Sequence, residues 1–231
     1  MRRRTVGRAG RAARATAGTE PIEVKVTVLE RDETMVLRKF GLARKNGEQR
    51  RVLFYDMPTL NLYKKGVCLR TREMGGDECD STVKIRPVEP KRVSDKWRRK
   101  SGFKVEADAV GTKVIRSASF TIAQKSKEID EVASGSRPIA KLFSAERVEF
   151  LRDMAPVEVD FARLVPLGPV AALRWKFRHE GLPYELFAEE SDAVPTELRH
   201  GRCPVPPLEA DQRCSAQLKQ RPHRGRLRGA A

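Results

Sequence analysis

Six times along this chain, two charged residues stand two positions apart with an uncharged residue between them. The pairs are Glu23-Val24-Lys25, Arg70-Thr71-Arg72, Lys84-Ile85-Arg86, Glu106-Ala107-Asp108, Glu158-Val159-Asp160 and Arg174-Trp175-Lys176. Side chains on a β-strand alternate faces with period two. Each pair therefore sets two charges on one face of a strand and apolar groups on the other. One such strand is an ordinary sheet with a wet side. Recurrence along the chain, with both signs represented, makes the polar face a candidate site. Cations can hold a polyanion, and carboxylates can hold a divalent metal.

The 231 residues, 39% of them hydrophobic, suffice for a core in one or two domains. No apolar run reaches the roughly 18 residues of a membrane span, and the basic N-terminus is not followed by the apolar stretch of a signal peptide. The four cysteines (Cys68, Cys79, Cys203, Cys214) form no CxxC pair, and there are three histidines. A zinc centre is therefore not expected, and reduced thiols in a cytoplasmic protein are. The net charge of +16 suggests a nucleic-acid binder, but it is concentrated at the ends. Residues 1–15 hold six arginines and no acid, residues 199–231 hold eight basic and two acidic residues, and the remainder is nearly balanced. Single-sign blocks at chain ends are typically disordered and bind polyanions loosely. Nucleic acid is thus expected at most as a non-specific partner of the tails, and no zinc-finger or RRM-type signature argues otherwise.

Residues 1–19 show no strand pattern and read as a disordered basic arm. Ile22–Val28 alternates cleanly and is a strand. A helix is expected over 32–44, with Met35, Val36, Lys39 and Phe40 on one face, then a strand at Arg51–Tyr55 and a turn at Asp56-Met57-Pro58. Val67–Arg72 and Ser81–Val88 form a hairpin. Residues 91–101 read as a basic linker holding Trp97, followed by a strand at Phe103–Ala109. Residues 112–132 and Ile139–Leu151 read as helices. Glu158–Val165, Val170–Phe177 and Leu182–Glu189 read as late strands. Arg147 and Glu149 are expected to face solvent, as are Glu158 and Asp160, and Trp97 and Trp175 are expected to pack. Residues 191–231, with five prolines and little alternation, read as a disordered or aberrant basic tail.

Phe54-Tyr55-Asp56-Met57-Pro58-Thr59-Leu60-Asn61-Leu62, followed by Gly66-Val67-Cys68-Leu69-Arg70-Thr71-Arg72, resembles the YFDTP-x-L-x-L … G-x-x-LR-x-R block of the CYTH family of triphosphate tunnel metalloenzymes. The likeness continues through Asp80-Ser81-Thr82-Val83-Lys84-Ile85-Arg86-Pro87, Phe103-Lys104-Val105-Glu106-Ala107-Asp108, Lys141-Leu142-Phe143-Ser144 and Leu167-Gly168-Pro169, and covers roughly residues 20–190. It implies an α+β fold: an antiparallel β-barrel of about eight strands forming a tunnel, with helices packed outside and polar residues pointing inward. The family signature E-x-E-x-K falls on Pro21-Ile22-Glu23-Val24-Lys25, where the first glutamate is replaced by Pro21. The glycine-rich turn and strand that the family places after Glu189 are missing, so closure of the barrel at its C-terminal end is left open.

The resemblance implies that Lys25, Arg70, Arg72, Lys84, Arg86, Arg174 and Lys176 bind phosphate groups. Glu23, Glu106, Asp108 and Glu189 would be ligands for Mg²⁺ or Mn²⁺, and Glu23, Lys25 and Glu106 would be the catalytic set. The implied ligand is a triphosphate or another organic phosphate, and the implied activity a metal-dependent phosphohydrolase. A non-catalytic polyphosphate- or nucleotide-binding member is the first alternative and a basic nucleic-acid-associated protein the second. Adenylate cyclase chemistry ranks lower, since nothing in the sequence is adenine-specific.

Overall fold

A computed structural model describes residues 22–28, 30–75, 78–110, 112–182, 185–191 and 214–219. The alternating run Ile22–Val28 forms β1, and α1 (Glu30–Lys39), β2 (Glu48–Asp56) and the single-turn α2 (Asn61–Lys64) follow. The hairpin is β3 (Val67–Glu73) and β4 (Cys79–Ile85). Next come α3 (Asp95–Arg98), β5 (Phe103–Val110), β6 (Lys113–Gln124), α4 (Ser126–Ala133) and α5 (Ala145–Met154). β7 (Val165–Phe177), β8 (Glu185–Ser191) and β9 (Cys214–Lys219) complete the order. The strands neighbour one another as β1-β5-β6-β4-β3-β2-β7-β8-β9, and β9 pairs back onto β1. β1 and β5 run parallel, and the other neighbouring strands run antiparallel. The fold is thus α+β: a curled, mostly antiparallel sheet around a tunnel, with a few helices alongside.

The outer face of the barrel is the core face. Leu53, Tyr55, Leu69, Val83, Ile85, Val105 and Phe120 project there and meet Trp97 of α3, Ile129 of α4, and Phe150 and Leu151 of α5. Trp97 and Phe150 stack edge to face at 5.4 Å, and Phe103 joins Phe150 at 5.5 Å. Burying each such side chain is worth about 1.5–3 kcal/mol. A smaller cluster joins Leu37 of α1 to Trp175 and Ala188, and the Trp175 indole donates to the Ala43 carbonyl at 2.9 Å. Strand geometry then sends the alternate residues, including most of the charged pairs, toward the lumen.

Several sequence expectations are corrected. Residues 112–132 are not one helix: the β-branched run through Val114, Ile115, Thr121 and Ile122 favours the pleated sheet and becomes β6, leaving α4 after it. Ile139–Leu151 divides at Ser144 into a 3₁₀ turn, Ile139–Leu142, and α5. Glu158 and Asp160 do face solvent, but on irregular chain, because the Asp160 carboxylate accepts from the Ala162 amide at 3.1 Å and competes with strand pairing. α1 stops at Lys39, ahead of Gly41 at φ +65°; it buries Leu37 and leaves Met35 61% exposed. Residues 91–101 are no plain linker, since α3 carries Trp97 into the core at 1% exposure. Arg147 is also 1% exposed rather than solvated, held by bonds described below. The expected structureless tail supplies β9, which fills the gap between β8 and β1. A strand edge offers backbone partners to any chain that can extend. The rest of that tail, and the 1–19 arm, lie outside the described residues.

Candidate functional site

Cross-strand register sets the lumen chemistry. On β3, Val67, Leu69 and Thr71 are buried on the outer side, which leaves Arg70 and Arg72 facing inward. On β4, Ser81 turns outward to α5 and Val83 to the core, so Asp80, Thr82 and Lys84 face inward. β5 presents Glu106 and Asp108, β7 presents Arg174 and Lys176, and β8 presents Glu185 and Glu189, each opposite in phase to core residues on the same strand. On β1, Glu23 is 7% exposed and is the register partner of Asp108, itself 5% exposed. Lys25 lies opposite Val110 in the same register, and Arg86 follows β4 directly, with its amide donating to the Gly66 carbonyl at 2.8 Å.

The lumen cations are mostly engaged by carboxylates. The Arg72 guanidinium forks onto Asp80 at 3.1 and 2.5 Å. Lys84 meets Asp108 at 3.4 Å, Arg174 meets Glu189 at 3.4 Å, and Lys176 meets Glu185 at 3.0 Å near the rim, where Lys176 is largely exposed. Arg50 donates twice to Glu48, at 2.8 and 2.6 Å. Arg70 differs: among the described residues its buried Nε finds no hydrogen-bond partner. Burial, and then the neighbouring Arg72, lowers the Arg70 pKa below the usual arginine value. Burial, and then Arg50, does the same to Arg174. Destabilised cations of this kind gain most from a new anion. Glu106 enters no ion pair among the described residues.

The sequence reading assigns no site role to Arg50, Glu48, Glu185 or Asp80, the last of which it places in the family-like segment. Glu48-Gln49-Arg50 and Asp80-Ser81-Thr82 repeat the stride of two that marks the other strands, so the signal was present just before the expected strand starts. A cleft of about 690 Å³ opens beside this end of the barrel, lined by Arg50, Arg51, Glu73, Met74, Ala172 and Glu190. Arg50 and Ala172 connect it to the lumen.

Among the described residues, no three His, Cys, Asp or Glu side chains converge as a metal-binding group. Glu106 and Glu189 therefore do not join Glu23 and Asp108 in a common cage. Two adjacent buried carboxylates still suit Mg²⁺, which keeps several waters and is commonly bound by one or two carboxylates together with substrate phosphates. Among the described residues no helix is long and apolar enough to cross a membrane.

No protein-family model matches the sequence, and no curated protein matches it. Solved structures do. A candidate adenylate cyclase from Bacillus halodurans superposes with a TM-score of 0.55 at 13% identity, covering 87% of this chain and 80% of that one. A candidate adenylyl cyclase from Hippeastrum, reported to have a dominant triphosphatase activity, superposes with a TM-score of 0.52 at 14% identity, covering 86% and 78%. Both are CYTH-type proteins. The chain therefore has the fold of the CYTH-type triphosphate tunnel proteins.

Proposed function

We propose that this protein binds a triphosphate or related organic phosphate in the barrel lumen and hydrolyses it with a divalent metal. The observation that carries the proposal is Arg70, half-buried on β3 and flanked by Arg72, with a buried Nε that has no hydrogen-bond partner among the described residues. A buried guanidinium with an unmade bond costs stability unless something else needs it. Phosphate oxygens match its planar donors. The triphosphatase activity of the Hippeastrum neighbour supports the same reading.

The existing ion pairs argue for a metal. A triphosphate entering the lumen would take Arg72 from Asp80, Lys84 from Asp108 and Arg174 from Glu189. The released carboxylates would then face the ligand's own negative charge. A divalent cation resolves that conflict, and Glu23 and Asp108 are the residues to hold it. When bound, Mg²⁺ or Mn²⁺ supplies charge stabilisation to the phosphoryl group. Phosphoryl transfer asks mainly for positioning and electrostatics. Arg70, Arg72 and Arg174 orient the phosphate chain, Lys84 and Arg86 extend the cationic wall, and Lys25 and Lys176 contribute from β1 and the rim. Glu106, outside any ion pair among the described residues, is the group to accept a proton from the attacking water. The cytoplasm, rich in Mg²⁺ and phosphate esters, is the compartment proposed.

A second reading, phosphate binding without turnover, is favoured by Pro21 at the first signature position and by the lack of a three-carboxylate cluster among the described residues. One screen separates the two. Phosphate release is measured over tripolyphosphate, thiamine triphosphate and nucleoside triphosphates, with and without Mg²⁺ and Mn²⁺. Release that needs metal is expected. Saturable binding with no release under either metal would replace hydrolysis by the second reading.

A further inference from the structure

Past Lys113, its exposed first residue, the lumen face of β6 carries no charge. Ser117, Ser119 and Thr121 alternate there with the core residues Ala118 and Phe120. This hydroxyl lane runs between two charged strands: Ser119 is the register partner of Lys84 on β4 and Lys104 on β5, and Ser117 is that of Glu106. Thr121 is satisfied by the Thr82 hydroxyl at 3.0 Å. Ser117 is not: it is 1% exposed, and its Oγ has no hydrogen-bond partner among the described residues.

A serine kept for structure at such a place would have its hydroxyl paired, because a buried unpaired polar group is costly. The strand itself would be better served by an apolar or β-branched residue. We infer that Ser117 is a ligand-binding residue, its hydroxyl donating to an oxygen of the phosphate chain where the cationic β4 wall meets Glu106. The inference rests on the phosphate reading above and adds a neutral contact to it. Phosphate oxygens are acceptors, and a hydroxyl rotor can donate without adding a charge that would compete with the metal. Ser117 is then a site where stability has been yielded to binding.

The test is Ser117→Ala, read by thermal unfolding without ligand and by calorimetric titration with tripolyphosphate in Mg²⁺. The expected result is an unchanged or raised melting temperature together with binding about tenfold weaker, the loss of one bond to a charged acceptor. Opposite signs in the two readouts cannot come from a structural role. A variant that melts lower than the parent shows the hydroxyl to be a structural partner and overturns the inference. Unchanged affinity in a variant whose parent binds overturns it too, and leaves the phosphate reading standing. A parent that does not bind tripolyphosphate removes both.

Discussion

Arg147→Met is the sharpest test of how the lumen is held in register. Arg147 lies on α5, outside the barrel, yet its Nη1 donates to the Ser81 carbonyl at 3.0 Å and to the Ser81 hydroxyl, while its Nη2 donates to the Leu142 carbonyl at 2.5 Å. Ser81 stands between Asp80 and Thr82, whose side chains line the tunnel. The guanidinium also lies 5.2 Å from the Phe143 ring. Bonds from a charged donor contribute about 1.5–3 kcal/mol each, so the two carbonyl bonds set a gross scale of roughly 3–6 kcal/mol. Two effects reduce it. The Leu142 carbonyl keeps Gln124 Nε2 at 2.9 Å and the Ser81 hydroxyl at 3.1 Å as donors. Methionine also removes the desolvation of a buried cation, a burden visible in the Arg147 pKa, which burial pushes down to about 10. The net loss is then about 2–3 kcal/mol, or roughly 5–10 °C in melting temperature for a domain of this size.

Guanidinium unfolding followed by the fluorescence of the buried Trp97 and Trp175 measures that loss. A variant as stable as the parent would show the buried charge to be a net burden, as replaced buried ion pairs often are. Linkage supplies a second check. The folded pKa of about 10 lies below that of arginine in the unfolded chain, so between them the unfolded chain binds the extra proton. The parent should therefore gain stability relative to Arg147→Met as pH rises through about 10, and a difference that shrinks over that window contradicts the assigned cause.

Other consequences are direct. The Asp56 carboxylate accepts from the amides of Met57, Leu62 and Tyr63 at 2.6, 2.9 and 2.8 Å, so Asp56→Ala should cost about 2–4 kcal/mol in a denaturant titration. Gly66 sits at φ +74°, and a Cβ there would overlap the Arg86 carbonyl oxygen; Gly66→Ala should lower stability by about 3 kcal/mol or more and displace Arg86. Arg174→Gln should weaken tripolyphosphate binding by roughly 10-fold or more in calorimetry. Glu106→Gln should abolish phosphate release while tripolyphosphate still binds, which a filter-binding assay beside the release assay distinguishes from loss of the site.

What the sequence made legible was whatever depends on one strand alone. Burial on one side enforces a stride of two, so Arg70 with Arg72, Glu106 with Asp108, and Arg174 could be assigned to one wet face without any partner in view. Glu48 and Arg50 obey the same rule but lie in the three residues by which β2 extends beyond the expected Arg51 start. Pairing across strands was not legible. Arg72 meets Asp80 eight residues away, Arg174 meets Glu189 at 15 and Lys84 meets Asp108 at 24, and each separation is fixed by a turn or crossover length that local patterns do not state. Arg147 was hidden for a related reason: on a short helix, the face that meets the barrel is decided by the barrel. β9 was hidden because edge pairing runs through the backbone and needs little from the side chains. These pairings alter the functional reading itself. Single-strand patterns gave cationic pairs for an anion and acidic pairs for a metal as separate walls, whereas the fold brings Arg72, Lys84 and Arg174 onto carboxylates and leaves Arg70 apart. A ligand that enters such a lumen must replace Asp80, Asp108 and Glu189, and its affinity should therefore rise with Mg²⁺ rather than fall.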